Sequence, residues 1–280
     1  MTSDALTAIE SGLLERFGEP VDVPDGLRGL ETLAGLATRR THRRFDGRPV
    51  DALLVRLLCA CALSAPSKSD LQQRDIVVVE DAGLRRAIAD LMPNAPWVAQ
   101  APAFLVVCAN AERLVRIARW RGKPFANDHL DLFFNAVGDA AIALATCVVA
   151  AEAVGLGTCP ISEIRNHAQA IGEWLGLPER VIPFAGLCLG WPQAEGQLSP
   201  RLPLSSTVHA NRMADDAWQA EIEAYDRRRD ALQPYATQLH VDRFGRAALN
   251  GWSEQKARQY AVPLRADFGA FVRGKGFRLD

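Results

Sequence analysis

The stretch Arg39-Arg40-Thr41-His42-Arg43-Arg44-Phe45 sets the reading of the whole chain. Four arginines fall within six residues, with a threonine among them. Blocks of like charge are commonly solvated faces or disordered tails. This one is interior, and it runs through Asp46-Gly47-Arg48-Pro49-Val50 into a segment of helical apolar spacing. A compact cation cluster set against a folded core points to a bound anion. The guanidinium fork matches phosphate, and a Thr hydroxyl adds a neutral donor. The competing reading is a solvated basic helix end.

Composition makes the block local chemistry. Lys and Arg total 32 against 33 Asp and Glu, and 49% of the 280 residues are apolar. A balanced charge argues against a nucleic-acid binder that relies on a broad basic field. Met1-Thr2-Ser3-Asp4 lacks the basic and apolar regions of a signal peptide. The most apolar stretch, Ala140 to Val154, is too short for a bilayer. A cytoplasmic protein with no membrane partner is expected. Cys59, Cys61, Cys108, Cys147, Cys159 and Cys188 form no CxxC pair and read as small buried thiols. The five histidines show no metal-ligand spacing, so no metal site is expected. Neither G-x-G-x-x-G nor a Walker loop occurs.

Outward from the block, residues 1–35 read as a polar, Gly- and Pro-punctuated leader with peripheral packing. A helix follows Pro49 and ends near Ser64-Ala65-Pro66. Ser67-Lys68-Ser69-Asp70-Leu71-Gln72-Gln73 is a polar loop leading into a buried strand at Asp75 to Glu80. Further buried strands are expected at Ala103 to Ala109 and Pro183 to Gly190, with a helix from Asp81 to Leu91. Asp128 to Val154 is the longest helix candidate. It is small and apolar nearly all round, so it should be buried on every side and could meet its own symmetry mate. Thr158-Cys159-Pro160-Ile161 reads as a short extended loop, and Ser162 as the cap of a helix from Glu163 to Leu175. Asp215 to Asp280 is charged and helical.

Six motifs occur in order: Arg-Arg-Thr-x-Arg-x-Phe, Ala65-Pro66-Ser67-x-Ser69-x-x-Gln72, Gly155-Leu156-Gly157, Leu175-Gly176-Leu177-Pro178, Gly190-Trp191-Pro192 and Pro200-Arg201-Leu202-Pro203. This pattern resembles the FMN-dependent nitroreductase superfamily. Gly186 to Pro192, with Val208-His209-x-Asn211, is most similar to the oxygen-insensitive NADPH nitroreductase and flavin reductase P group. The resemblance implies an α+β fold, an α-β-α sandwich with a central mixed sheet, built as an intertwined homodimer. It divides the chain into the leader (1–35), an FMN-binding core (36–212) and a helical C-terminal extension (213–280).

The resemblance also assigns residues. Arg39, Arg40, Thr41 and Arg43 match the positions for the FMN phosphate and ribityl chain, and Arg201 matches a second phosphate ligand. Ser67, Lys68 and Ser69 match a loop that the partner subunit lays over the flavin. Pro160, Ile161, Ser162 and Glu163 match the segment whose backbone amides approach flavin N5. The flavin carries the hydride, so no catalytic side chain is expected. The implied activity is ping-pong transfer from NADPH or NADH to small molecules: nitroaromatics, quinones or free flavin. The alternatives are a dedicated reductase of one enone, heterocycle or halogenated phenol, or a non-catalytic flavin-binding protein. Departures from the pattern are Ser162-Glu163 in place of Gly-Gly, Lys68 in place of Ser, and Ser199 in place of a Lys beside Pro200-Arg201. The arginine pair used for the NADPH 2′-phosphate is replaced by Ala248 and Leu249.

Overall fold

A computed structural model describes residues 2–214 and 216–280. Met1 and Asp215, the expected start of the charged tail, lie outside the described residues. The helices are α1 (Thr2–Phe17), α2 (Leu30–Thr38), α3 (Ala52–Leu63), α4 (Ala82–Asp90), α5 (Trp97–Gln100) and α6 (Glu112–Trp120). They continue as α7 (Leu130–Ala153), α8 (Ala168–Trp174), α9 (Trp218–Leu232), α10 (Val241–Phe244), α11 (Trp252–Tyr260) and α12 (Phe268–Gly274). The strands are β1 (Arg74–Val78), β2 (Ala103–Asn110), β3 (Gly157–Ile161) and β4 (Val181–Gly190). Contacts group the chain into two compact units: Met1–Arg40 with Gln197–Leu264, and Thr41–Gly196 with Arg265–Asp280. These groupings cut across the three stretches drawn along the sequence.

The larger unit holds the sheet, in the order β1-β2-β4-β3. Among the described residues its ladders are all antiparallel, and the parallel component is a single bridge between Thr41 and Thr158. Strand β2 is an unbroken apolar run, as a strand covered on both faces must be. Side chains alternate across it. Phe104, Val106 and Cys108 pack with Ile88 of α4, Val98 of α5 and Ile171 of α8. Leu105 packs with Leu58 of α3 and Cys147 of α7, and Val107 and Ala109 with Ala140 of α7 and Val272 of α12. These are the expected α-β-α layers. The β2–β4 register pairs Val107 with Ala185 and Cys108 with Pro183, leaving Phe184 as the extra residue. One inserted residue reverses which face the next side chains meet. Ile182 and Cys188, both at even positions, accordingly lie on opposite faces.

Several expectations need correction. Residues 157–161 form strand β3 rather than a loop, paired with β4 from Gly157↔Gly190 to Ile161↔Gly186. Pro160 fits there because an outer strand tolerates a missing N–H. The helix expected from Glu163 to Leu175 is a 3₁₀ segment, Glu163–His167, followed by α8, and the Ser162 side chain makes no capping bond. Helix α7 is buried on one side only: Leu130, Phe134 and Ile142 are 50%, 71% and 41% exposed. It is also long and apolar enough to cross a membrane by length and composition. Its buried face lies against α3 and the sheet. Of the cysteines, Cys108, Cys147, Cys159 and Cys188 are buried, Cys59 is half-buried and Cys61 exposed. Burial pushes the Cys108 and Cys147 thiols up to about 12, which leaves them unreactive near neutrality.

The smaller unit is helical. In the leader, α1 buries Ala5, Ile9 and Arg16. Helices α9 and α11 are joined by an edge-on contact of Tyr225 with Trp252, centroids 5.7 Å apart. The buried Asp226 carboxylate accepts from the Ser253 amide at 2.9 Å, at the start of α11. Extra N–H groups at a helix start take a carboxylate well.

Candidate functional site

The basic segment enters the larger unit along the free edge of β3. The His42 amide donates to the Thr158 carbonyl at 2.9 Å, completing the Thr41–Thr158 bridge. Phe45 bridges to Pro192, the Asp46 amide donates to the Trp191 carbonyl (3.0 Å), and the Gln193 amide to the Arg44 carbonyl (3.1 Å). Two motif glycines allow this approach. A Cβ on Gly157 would lie 2.8 Å from the His42 side chain, and one on Gly190 would lie 2.7 Å from the Phe45 ring. Gly157→Ala is therefore expected to cost about 1–3 kcal/mol by overpacking. Urea unfolding measures it; an unchanged midpoint would mean that the segment yields freely.

This docking places Thr41 beside the strand that carries Pro160 and Ile161 and leads into Ser162 and Glu163. Glu163 opens the 3₁₀ segment, and first-turn N–H groups have no intrahelical acceptor, so its amide can serve a ligand. Arg165 ties that turn to the bulge through a 2.6 Å bond from Nη1 to the Phe184 carbonyl. Arg43 is exposed and lies over the Trp97 ring at 5.3 Å. Trp120 is 73% exposed, with Arg121 stacked on it at 4.0 Å, so it is not core packing.

Ser67, Lys68 and Ser69 lie elsewhere, in the loop feeding β1, at the opposite edge of the sheet from β3. Three strand spacings separate the outer strands, about 14 Å. The loop is held by Asp139 of α7, a residue that sequence reasoning missed. Its carboxylate accepts from Ser67 Oγ (2.8 Å), the Lys68 amide (3.0 Å) and the Gln73 amide (2.8 Å). Arg74 Nη1 is 3.6 Å away, and both side chains are almost fully buried. Beyond these anchors, Ser69, Asp70 and Gln72 have φ of 48°, 56° and 52°, a region costly for side chains with a Cβ. The one visible signal was a carboxylate set among the small apolar residues in the middle of a long helix.

Arg39, Arg40 and Arg201 belong to the smaller unit, gathered around Arg16, which is only 5% exposed. Arg16 donates from Nε to the Ala37 carbonyl (2.7 Å), from Nη1 to the Ser199 carbonyl (3.2 Å), and from Nη2 to the Arg39 carbonyl. The Arg201 amide donates to the Arg16 carbonyl at 2.7 Å. Arg228 Nη2 donates to the carbonyls of Arg16 (2.9 Å) and Arg201 (2.6 Å). Burial, then the neighbouring Arg201, Arg39 and Arg40 charges, lower the Arg16 pKa to about 10. Guanidiniums gathered this closely are a donor set suited to a phosphate. Sequence reasoning missed Arg16, which lies in the leader.

The nitroreductase family matches residues 36–191, and the C-terminal domain of that family matches residues 199–280. The FMN reductase [NAD(P)H] of Bacillus subtilis is 30% identical over 254 residues, covering 89% of this chain and 99% of its own. The oxygen-insensitive NADPH nitroreductase of Salmonella typhimurium is 37% identical over 182 residues, covering 65% and 74%. The solved structure of B. megaterium NfrA2 superposes with a TM-score of 0.80 at 29% identity, covering 89% of this chain and 99% of that one.

Proposed function

We propose that this chain, which belongs to the nitroreductase family, is an FMN-dependent oxidoreductase that takes electrons from NADPH or NADH and passes them to nitroaromatics, quinones or free flavin. The observation that carries the reading is the arginine cluster, charged donors of two distant segments gathered around Arg16. Bound FMN supplies the hydride chemistry. The protein's residues bind and orient. Arg39, Arg40 and Arg201 would hold the phosphate, with Arg43 as a further cation on the same segment. Thr41 would donate to the ribityl chain. Pro160 and Ile161 would border the ring, and the Ser162 and Glu163 amides would serve it as donors.

A homodimer completes the assignment. The Ser67-Lys68-Ser69 loop and the Thr41–Glu163 edge flank the sheet on opposite sides, so the loop serves the site of a second copy. The exposed α7 residues Leu130, Phe134 and Ile142 give that copy an apolar surface to cover. Six free cysteines suit a reducing cytoplasm.

The test is anaerobic reduction. Purified protein should be yellow and should bleach on addition of NADPH or NADH, with colour restored by menadione or nitrofurazone. Protein that stays colourless with added FMN would defeat the proposal. Bound flavin that neither nicotinamide reduces would favour a binding protein instead.

A further inference from the structure

We propose that Arg16, in a helix outside both ranges matched by the family, is a positioning residue of the phosphate site that holds its two arginine-bearing segments together. The inference rests on the FMN reading above. Its own basis is geometric. The two segments carrying the phosphate arginines are far apart in sequence, Arg39-Arg40 and Ser199-Pro200-Arg201. One buried guanidinium ties them together, through the carbonyls of Ala37 and Arg39 on one side and of Ser199 on the other. Backbone bonds close the arrangement, because the Arg201 amide and the Arg228 guanidinium both donate to the Arg16 carbonyl.

The tie falls on the residue where this sequence departs from the expected pattern. Ser199 stands where the resemblance implies a lysine, and Arg16 Nη1 donates to its carbonyl at 3.2 Å. A cation from the leader thus stands beside the position that has lost one. Arg16 also sits at the C-terminal end of α2, where the carbonyls favour positive charge. Its Nε, Nη1 and Nη2 each donate to a carbonyl that belongs to one of the two segments, so it acts by fixing Arg39, Arg40 and Arg201 and by its field, while those three, which also donate to local carbonyls, meet the anion. A guanidinium suits this better than an ammonium, because its planar fork serves three carbonyls in fixed directions. The leader helix is thereby part of the cofactor site.

The experiment uses the full-length protein freed of flavin, titrated with FMN and with riboflavin, which lacks the phosphate, and followed by flavin fluorescence. Wild type, Arg16→Met and Arg16→Lys are compared, with thermal unfolding of each recorded. Loss of a charged hydrogen-bonding group predicts that Arg16→Met weakens FMN binding roughly 10- to 100-fold. Riboflavin affinity should stay within about threefold, since only the phosphate term is touched. Arg16→Lys should recover part of the preference for FMN, and it serves as the test variant if Arg16→Met does not fold. An unchanged FMN-to-riboflavin affinity ratio in both variants would overturn the proposal, even if both unfold at lower temperature. Wild type that binds neither flavin would instead overturn the FMN reading itself.

Discussion

Asp139→Ala is expected to destabilise the protein by about 3–5 kcal/mol, the cost of leaving one member of a buried ion pair alone. Arg74 would keep its charge among buried groups, 3.6 Å from where the carboxylate was. Its remaining bonds run to the Leu63 and Ala65 carbonyls at 2.9 and 3.1 Å, which do not neutralise it. Three donors would also lose their acceptor: Ser67 Oγ and the amides of Lys68 and Gln73. Such a loss lowers the melting temperature on the order of 10 °C. The effect should be local as well as global, because the left-handed conformations of Ser69, Asp70 and Gln72 persist only while their flanks are fixed. Hydrogen exchange should accelerate at Lys68 and Gln73 before it does in β2. Asp139→Asn keeps the volume but not the charge, and should fall between wild type and alanine. A stability change below about 1 kcal/mol for Asp139→Ala would mean that the loop is fixed by something else.

Removing Arg40 and Arg201 together has the largest expected effect on binding. Each charge-assisted bond contributes about 1.5–3 kcal/mol, so the paired alanine variant should bind FMN roughly 100- to 10,000-fold more weakly. Riboflavin binding should be nearly untouched. Salt should weaken FMN binding to wild type more steeply than to the variant, because fewer charges remain to be screened. Stability should not fall in parallel. Arg201 is exposed, and Arg16 is held down by burial first and then by the Arg201, Arg39 and Arg40 charges, so removing two of those charges relieves it. If both flavins lost affinity equally, the cluster would be scaffolding for the site as a whole and not a phosphate grip.

Much of this was readable in the residues. The apolar run of β2 announces a strand covered on both faces, and the structure builds its layers on it. The order of the glycine and arginine motifs led to the family, which the matched ranges bear out. Why those glycines are required was not readable, because Gly157 and Gly190 matter through His42 and Phe45, more than a hundred residues earlier. Strand β3 was hidden by its own composition: a glycine and a proline in five residues suppress the usual strand signal. The reversal of faces in β4 depends on one unpaired residue, Phe184, which no alternation pattern marks. Arg16 was illegible for a plainer reason. It looks like the basic last turn of a surface helix, and its meaning lies in a carbonyl 183 residues away.

The most direct measurement is phosphorus NMR of the FMN-loaded protein across pH 5 to 8. The second ionisation of a free phosphate monoester falls near about 6, so its resonance moves through that range. A phosphate gripped by Arg39, Arg40 and Arg201 is held as the dianion, and its resonance should shift away from that of free FMN and stay fixed as pH falls. A bound FMN whose phosphate titrates as it does in free solution would contradict the account.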